Sequence, residues 1–146
     1  RLNEEKIAQI RDQWKGKLVL KGVASEEDTQ MAVRLGMDGI IVSNHGGRQL
    51  DAGESAIHAL IPLVKKYKEK ITIMMDSGIR SGPDAARALA SGAEFTFMGR
   101  SFMYGVAALG EQGGDHTISI LKTQLKQVME QVGCDNIQGL HRHLKL

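Results

Sequence analysis

Apolar positions along this chain follow two spacings in alternation, and the switch between them sets out the elements. Leu2, Ile7, Ile10 and Trp14 recur at helical spacing with charges between them, so residues 1–15 read as the inside of an amphipathic helix. A short β-prone run, Lys17–Val23, follows. Ser25 stands where a helix cap belongs, with Asp28 three residues on, and Met31, Ala32 and Leu35 give that helix an apolar face that ends at Gly36. Gly39–Ser43 predicts a second strand and Ala56–Tyr67 a second full helix; Ile71–Met75 predicts a third strand. Pro83 suits the first turn of a helix running through Ala85, Ala86, Ala88 and Leu89 to Gly92. Phe95–Met98 predicts the fourth strand and Phe102–Leu109 a short helix. Ile118, Leu121, Leu125, Val128, Met129 and Val132 stripe a helix over 116–132, and 133–146 read as a polar, basic, solvated tail.

Short, nearly continuous apolar strands separated by helices imply βα units around a parallel sheet covered on both faces. Four such units are present, each with its polar motif after the strand and before the next helix. That end of the sheet is where a (β/α)8 barrel keeps its active site, and a whole barrel takes about 250 residues. The expected fold is therefore α/β, the C-terminal half of a TIM (β/α)8 barrel: four parallel βα units plus a C-terminal helix. Residues 1–146 form a single partial domain in this reading, whose first half lies outside the chain. An open flavodoxin-like sheet competes with it and also binds ligands beyond the strand ends. It leaves unexplained why the chain starts abruptly at Arg1 rather than Met.

Composition narrows the function classes without choosing one. The 146 residues are 42% hydrophobic and 25% charged with a net charge of +2, so nothing points to nucleic acid or to an anionic membrane surface. No apolar run reaches the roughly 18 residues of a membrane span. Cys134 is alone, which excludes an internal disulfide, fits a reducing cytoplasmic setting and reads as a packed small side chain. Glycine is the exception at 17 residues, many of them at predicted strand ends, where loops approach ligands closely.

The chemistry concentrates in three of those loops and one strand end. Ser43-Asn44-His45-Gly46-Gly47-Arg48-Gln49-Leu50-Asp51 places an imidazole and a guanidinium three residues apart in a glycine-softened turn. Such a pair can take a proton from a small acid while gripping its carboxylate through two parallel hydrogen bonds. Asp76-Ser77-Gly78-Ile79-Arg80-Ser81-Gly82 and Gly99-Arg100-Ser101 follow adjacent strands; each offers close backbone approach and an arginine, as a phosphate site does. Asp76 suits a sugar or ribityl hydroxyl better than the phosphate. Lys21 ends the first strand on the same rim, where a fixed cation stabilises negative charge on a cofactor. His58, His116, His141 and His143 have no such company, and Lys145 belongs to the tail. Metal-ligand spacing, a nucleophile elbow and a Walker loop are all absent from the sequence.

Together, Leu18-Val19-Leu20-Lys21-Gly22, the histidine motif from Ile41 to Asp51, Asp76-Ser77-Gly78-Ile79-Arg80 and Gly99-Arg100 resemble the FMN-dependent α-hydroxy-acid oxidase/dehydrogenase family over essentially the whole chain. The resemblance implies FMN as cofactor and oxidation of a small L-2-hydroxy acid, lactate- or glycolate-like, to the 2-oxo acid. It implies His45 as the base, Arg48 as the carboxylate clamp, Lys21 near the flavin N1 and O2, and Ser43 as a further flavin contact. Asp76, Ser77, Gly78, Ile79 and Arg80 would hold the ribityl chain and phosphate, with Gly99 and Arg100 completing the phosphate site. The family commonly has glycine where Ser77 stands.

The same resemblance makes the N-terminal half of the barrel a necessary partner, whether on this chain or another, and leads us to expect a homo-oligomer, a tetramer being usual in the family. Peripheral membrane contact would come only from segments outside this chain. Two other readings remain open at this stage: a non-catalytic half-barrel that binds a phosphate ligand, and another FMN barrel enzyme such as an isomerase. The isomerase reading leaves Arg48 without a use.

Overall fold

The computed structural model describes residues 3–144. Leu2 and Lys145 lie outside the described residues. Four parallel strands form one sheet in sequence order: β1 (Val19–Val23), β2 (Gly39–Val42), β3 (Thr72–Met75) and β4 (Phe95–Thr96). Helices connect them: α2 (Glu26–Arg34), α3 (Ala56–Tyr67) and α4 (Gly82–Ala90). Before β1 lies α1 (Glu4–Gln13), and after β4 come α5 (Arg100–Leu109) and α6 (Gly113–Gln131). The βα alternation expected from the sequence is present.

Capping residues fix the helix starts. Ser25 Oγ accepts the Asp28 N–H at 3.1 Å, and Ser81 Oγ accepts that of Asp84 at 3.4 Å, with Pro83 in the first turn of α4. Asn3 caps α1 by accepting the Lys6 N–H at 3.1 Å, which sets the start of that helix at Glu4. Among the described residues of its expected stripe, Ile7 is buried, while Ile10 and Trp14 are 45% and 56% exposed, and Trp14 lies past the helix end.

The core occupies one face of the sheet. Ile40, Val42 and Ile73 are fully buried with Ala32 and Leu60 from the covering helices. Each large aliphatic side chain removed from water in this way contributes about 1.5–3 kcal/mol. Along the same strands Ile41, Thr72 and Met74, which point the other way, are only half-buried. The expectation of a sheet covered on both faces is thus corrected. All the helices that connect the strands cover one side, and the side lined by Lys21 and Ile41 opens into a cleft.

Several boundaries also differ from the sequence reading, three of them near the site or the long helix. The fourth strand is Phe95–Thr96 rather than Phe95–Met98, because it pairs only with β3 and its other edge is open. The helix after it starts at Arg100, not Phe102, which puts Arg100 in its first turn. The long helix starts at Gly113, where Gly105 and Gly113 let α5 and α6 cross backbone against backbone. In its stripe Ile118 and Val132 are exposed, while Leu121, Leu125, Val128 and Met129 are half-buried. The tail is not simply solvated. It forms a three-ten run, Ile137–His143, that packs on α4; within it Leu140 is buried, while His141, Arg142 and His143 remain exposed. Cys134 is buried, its thiol donating to the Asn136 carbonyl at 3.0 Å.

Candidate active site

One cleft of about 400 Å³ opens at the carboxyl ends of the strands. Lys21, His45, Arg48, Asp76, Ser77, Gly78, Ile79, Arg80, Gly99 and Arg100 all line it. Of the residues expected from the sequence to form the site, Ser43 alone does not; it is 2% exposed and sits beneath the wall.

Local chemistry builds the turn that carries His45. Asn44 Oδ1 accepts the N–H groups of Gly46 and Gly47 at 3.0 and 3.2 Å, and its amide donates to the Glu54 carbonyl at 3.2 Å. This folds 45–47 into a single three-ten turn with Arg48 just beyond it. The buried Ser43 hydroxyl accepts the His45 N–H at 3.1 Å. His45 itself is held at φ 55°, a left-handed conformation uncommon for residues other than glycine, and such outliers gather at functional sites.

Gly22 makes room for the imidazole. The β1–β2 register slips between Lys21 and Val23, which marks a bulge, and Gly22 occupies it at φ 91°. A Cβ at this position would lie 3.1 Å from His45 Cε1. The sequence reading did not count Gly22 among the site residues. Its signal was a lone glycine inside a strand pattern, which denotes a bulge or close approach.

Lys21 pairs with the Asp76 carboxylate across the ends of β1 and β3, and its ammonium also donates to Ser43 Oγ at 3.3 Å. Partial burial draws the lysine below its ordinary range. The Ser77 hydroxyl donates to the other Asp76 oxygen at 2.8 Å and accepts the Gly46 N–H at 3.0 Å.

The loop after β3 and the start of α5 complete the far wall. Arg80 N–H donates to Asp84 Oδ2 at 3.2 Å, and the Arg80 carbonyl accepts from Ser101 Oγ at 3.0 Å. Burial pushes the Asp84 carboxyl up, but the hydrogen bonds from Ser81 and Arg80 and the charge of Arg87 outweigh it, so the net direction is down. Ile79 turns its side chain into the core and can offer a ligand only its backbone. Gly99 caps α5 with no side-chain bond to the helix start, and that start lines the cleft through Gly99 and Arg100. Arg100 also reaches the His45 turn, donating to the Gly46 carbonyl at 3.2 Å.

The donor set suits an anionic cofactor. Two guanidinium groups, a helix start and the glycine backbone at 78, at φ 76°, match a phosphate. Lys21 supplies a further cation lining the same cleft, and the cleft volume falls within the range of small-molecule sites. The residues present therefore fit FMN.

Comparison with known proteins gives a consistent picture. The family model for FMN-dependent dehydrogenases matches residues 1–145. An L-lactate dehydrogenase of Pectobacterium atrosepticum is 44% identical over 134 residues, covering 92% of this chain and 35% of the relative. One from Haemophilus influenzae is 48% identical over 120 residues, covering 82% and 32%. Among solved structures, a monotopic membrane protein, (S)-mandelate dehydrogenase, superposes with a TM-score of 0.90 at 42% identity over 95% of this chain and 37% of that one. Mandelate oxidase with (S)-2-phenylpropionate gives 0.92 at 35% identity over 97% and 42%. The chain spans about a third of the length of the curated relatives it matches.

Proposed function

Because the chain belongs to the FMN-dependent dehydrogenase family, we propose that it forms the catalytic wall and phosphate cradle of an enzyme oxidising a small L-2-hydroxy acid to the 2-oxo acid. The observation that carries this reading is the single cleft in which His45 and Arg48, from one turn, meet Lys21 and both arginine-bearing loops.

Each residue then has a physical task. The Arg48 guanidinium, exposed at the cleft, holds the substrate carboxylate in a bidentate grip and so orients the carbon beside it. A ring nitrogen of His45 takes a proton from the substrate as general base, a role typically worth about 10²–10⁴ in rate. FMN, when bound, supplies acceptance of the two electrons. Lys21 stabilises the negative charge that gathers at that end of the cleft. Gly78, Arg80, Gly99 and Arg100 hold the phosphate, and Asp76, engaged by Lys21, faces ribityl hydroxyls.

The curated relatives named L-lactate dehydrogenase favour a lactate-like substrate over an aromatic one. The open edges of β1 and β4 and the exposed side chains of Val19, Phe95 and Phe97 support a further proposal: other strands of a complete barrel pair there. Among the described residues no helix is long and apolar enough to cross a membrane. A cytoplasmic position, with any peripheral membrane contact made by segments outside this chain, is part of the same proposal.

Anaerobic mixing of the full-length, FMN-loaded protein with L-lactate, glycolate and (S)-mandelate tests the reading. Bleaching of the flavin by L-lactate in preference to (S)-mandelate is expected. A protein that binds no FMN, or whose flavin none of these acids reduces, would end it.

A further inference from the structure

We propose that Ser77 is a positioning residue for His45, its hydroxyl latching the loop after β3 to the turn that carries the imidazole. The proposal rests on the functional reading above for its catalytic consequence, but the latch itself can be tested independently.

Only two non-glycine residues described in the structure have positive φ: His45 at 55° and Ser77 at 71°. A glycine at 77 would relieve the backbone cost that a Cβ incurs in this region. The hydroxyl is what serine adds there, and every bond it can make is used. It donates to Asp76 Oδ1 at 2.8 Å, accepts the Gly46 N–H at 3.0 Å and lies 3.4 Å from Ser43 Oγ.

These contacts close a ring. Lys21 donates to Ser43 and pairs with one Asp76 oxygen; with its own proton turned to Ser77, Ser43 leads on to Ser77, which donates to the other Asp76 oxygen. Three successive strand ends are thereby joined, and the bonds in such a ring polarise one another. Two consecutive N–H groups of the catalytic turn plug into it: His45 N–H into Ser43 at 3.1 Å and Gly46 N–H into Ser77 at 3.0 Å. Asn44 binds the Gly46 N–H from within the turn, so Ser77 is the contact that ties it to the cofactor loop. The ring fixes the imidazole relative to Lys21 and to the phosphate loop.

The test uses the full-length holoprotein with Ser77→Gly and Ser77→Ala. Gly suits φ 71° and Ala does not, while both lack the hydroxyl, so agreement between them isolates the latch from the backbone. Both are expected to keep FMN. In both, the Gly46 amide is expected to exchange with solvent faster by about fivefold, the size of one lost neutral hydrogen bond. Flavin reduction at saturating hydroxy acid should slow by a similar factor in both, with little change in substrate affinity. In chemical denaturation Ser77→Gly should be the more stable of the two. Unchanged Gly46 exchange and unchanged reduction in both variants would overturn the latch. So would a slow Ala variant beside a normal Gly variant, which would assign the effect to the backbone. If wild-type flavin is reduced by no hydroxy acid, the functional reading falls, and Gly46 exchange still decides the latch.

Discussion

Arg100 Nη2 donates to the Gly46 carbonyl at 3.2 Å, so an arginine expected from the sequence to serve a phosphate also holds the turn that bears His45. The guanidinium has five N–H donors and can do both, whereas an ammonium is a single point charge. Arg100→Lys in the full-length protein is expected to weaken FMN binding about tenfold or more, the scale of a lost charge-assisted hydrogen bond. Fluorescence titration with FMN measures this; unchanged affinity would remove Arg100 from the cradle.

Gly22 tests the room made for the imidazole. Gly22→Ala places a Cβ 3.1 Å from His45 Cε1 on a backbone at φ 91°. It is expected to cost about 1–2 kcal/mol of stability for the left-handed conformation and to slow flavin reduction while FMN stays bound. Thermal denaturation and anaerobic reduction kinetics check the two effects separately.

Asp38 fastens the first two strands to α1 and gives the fold an acid limit. Its carboxylate binds Lys17 Nζ at 2.8 Å, the Leu18 N–H at 2.9 Å and Arg11 at 3.1 Å, with the Lys17 hydrogen bond foremost in lowering its pKa from 3.8 to about 2. A carboxyl whose folded pKa is depressed contributes stability in full above its unfolded value and loses it as pH falls through the folded one. The loss attributable to Asp38 therefore falls between about pH 4 and pH 2. Asp38→Asn is expected to be less stable at neutral pH and to have a flatter denaturation profile across that window.

Much of this arrangement was legible in the sequence because the signals were local. Aliphatic runs bounded by polar loops gave β2 and β3, Ser25 and Pro83 gave helix starts, and α3 spans Ala56–Tyr67 as expected. The loop residues from His45 to Arg100 meet in one cleft because parallel strands bring their carboxyl ends to the same rim. What stayed hidden depends on tertiary contact. Ser43 follows Val42 on the Ile41 side of β2 yet is 2% exposed, because the Lys21 ammonium and the His45 N–H close over its hydroxyl, contacts its motif does not show. The run Ile137–His143 packs on α4 across many residues of chain, which no local pattern announces. The ring through Lys21, Ser43, Ser77 and Asp76 needs three strand ends in register before it exists.

Of the proposed roles, that of His45 as the base of this cleft decides the rest. The most direct measurement is stopped-flow anaerobic reduction of the full-length FMN protein by L-lactate, wild type against His45→Ala. FMN retained with reduction slowed by about 10²–10⁴ is the expected result. Reduction at the wild-type rate in the variant would contradict it.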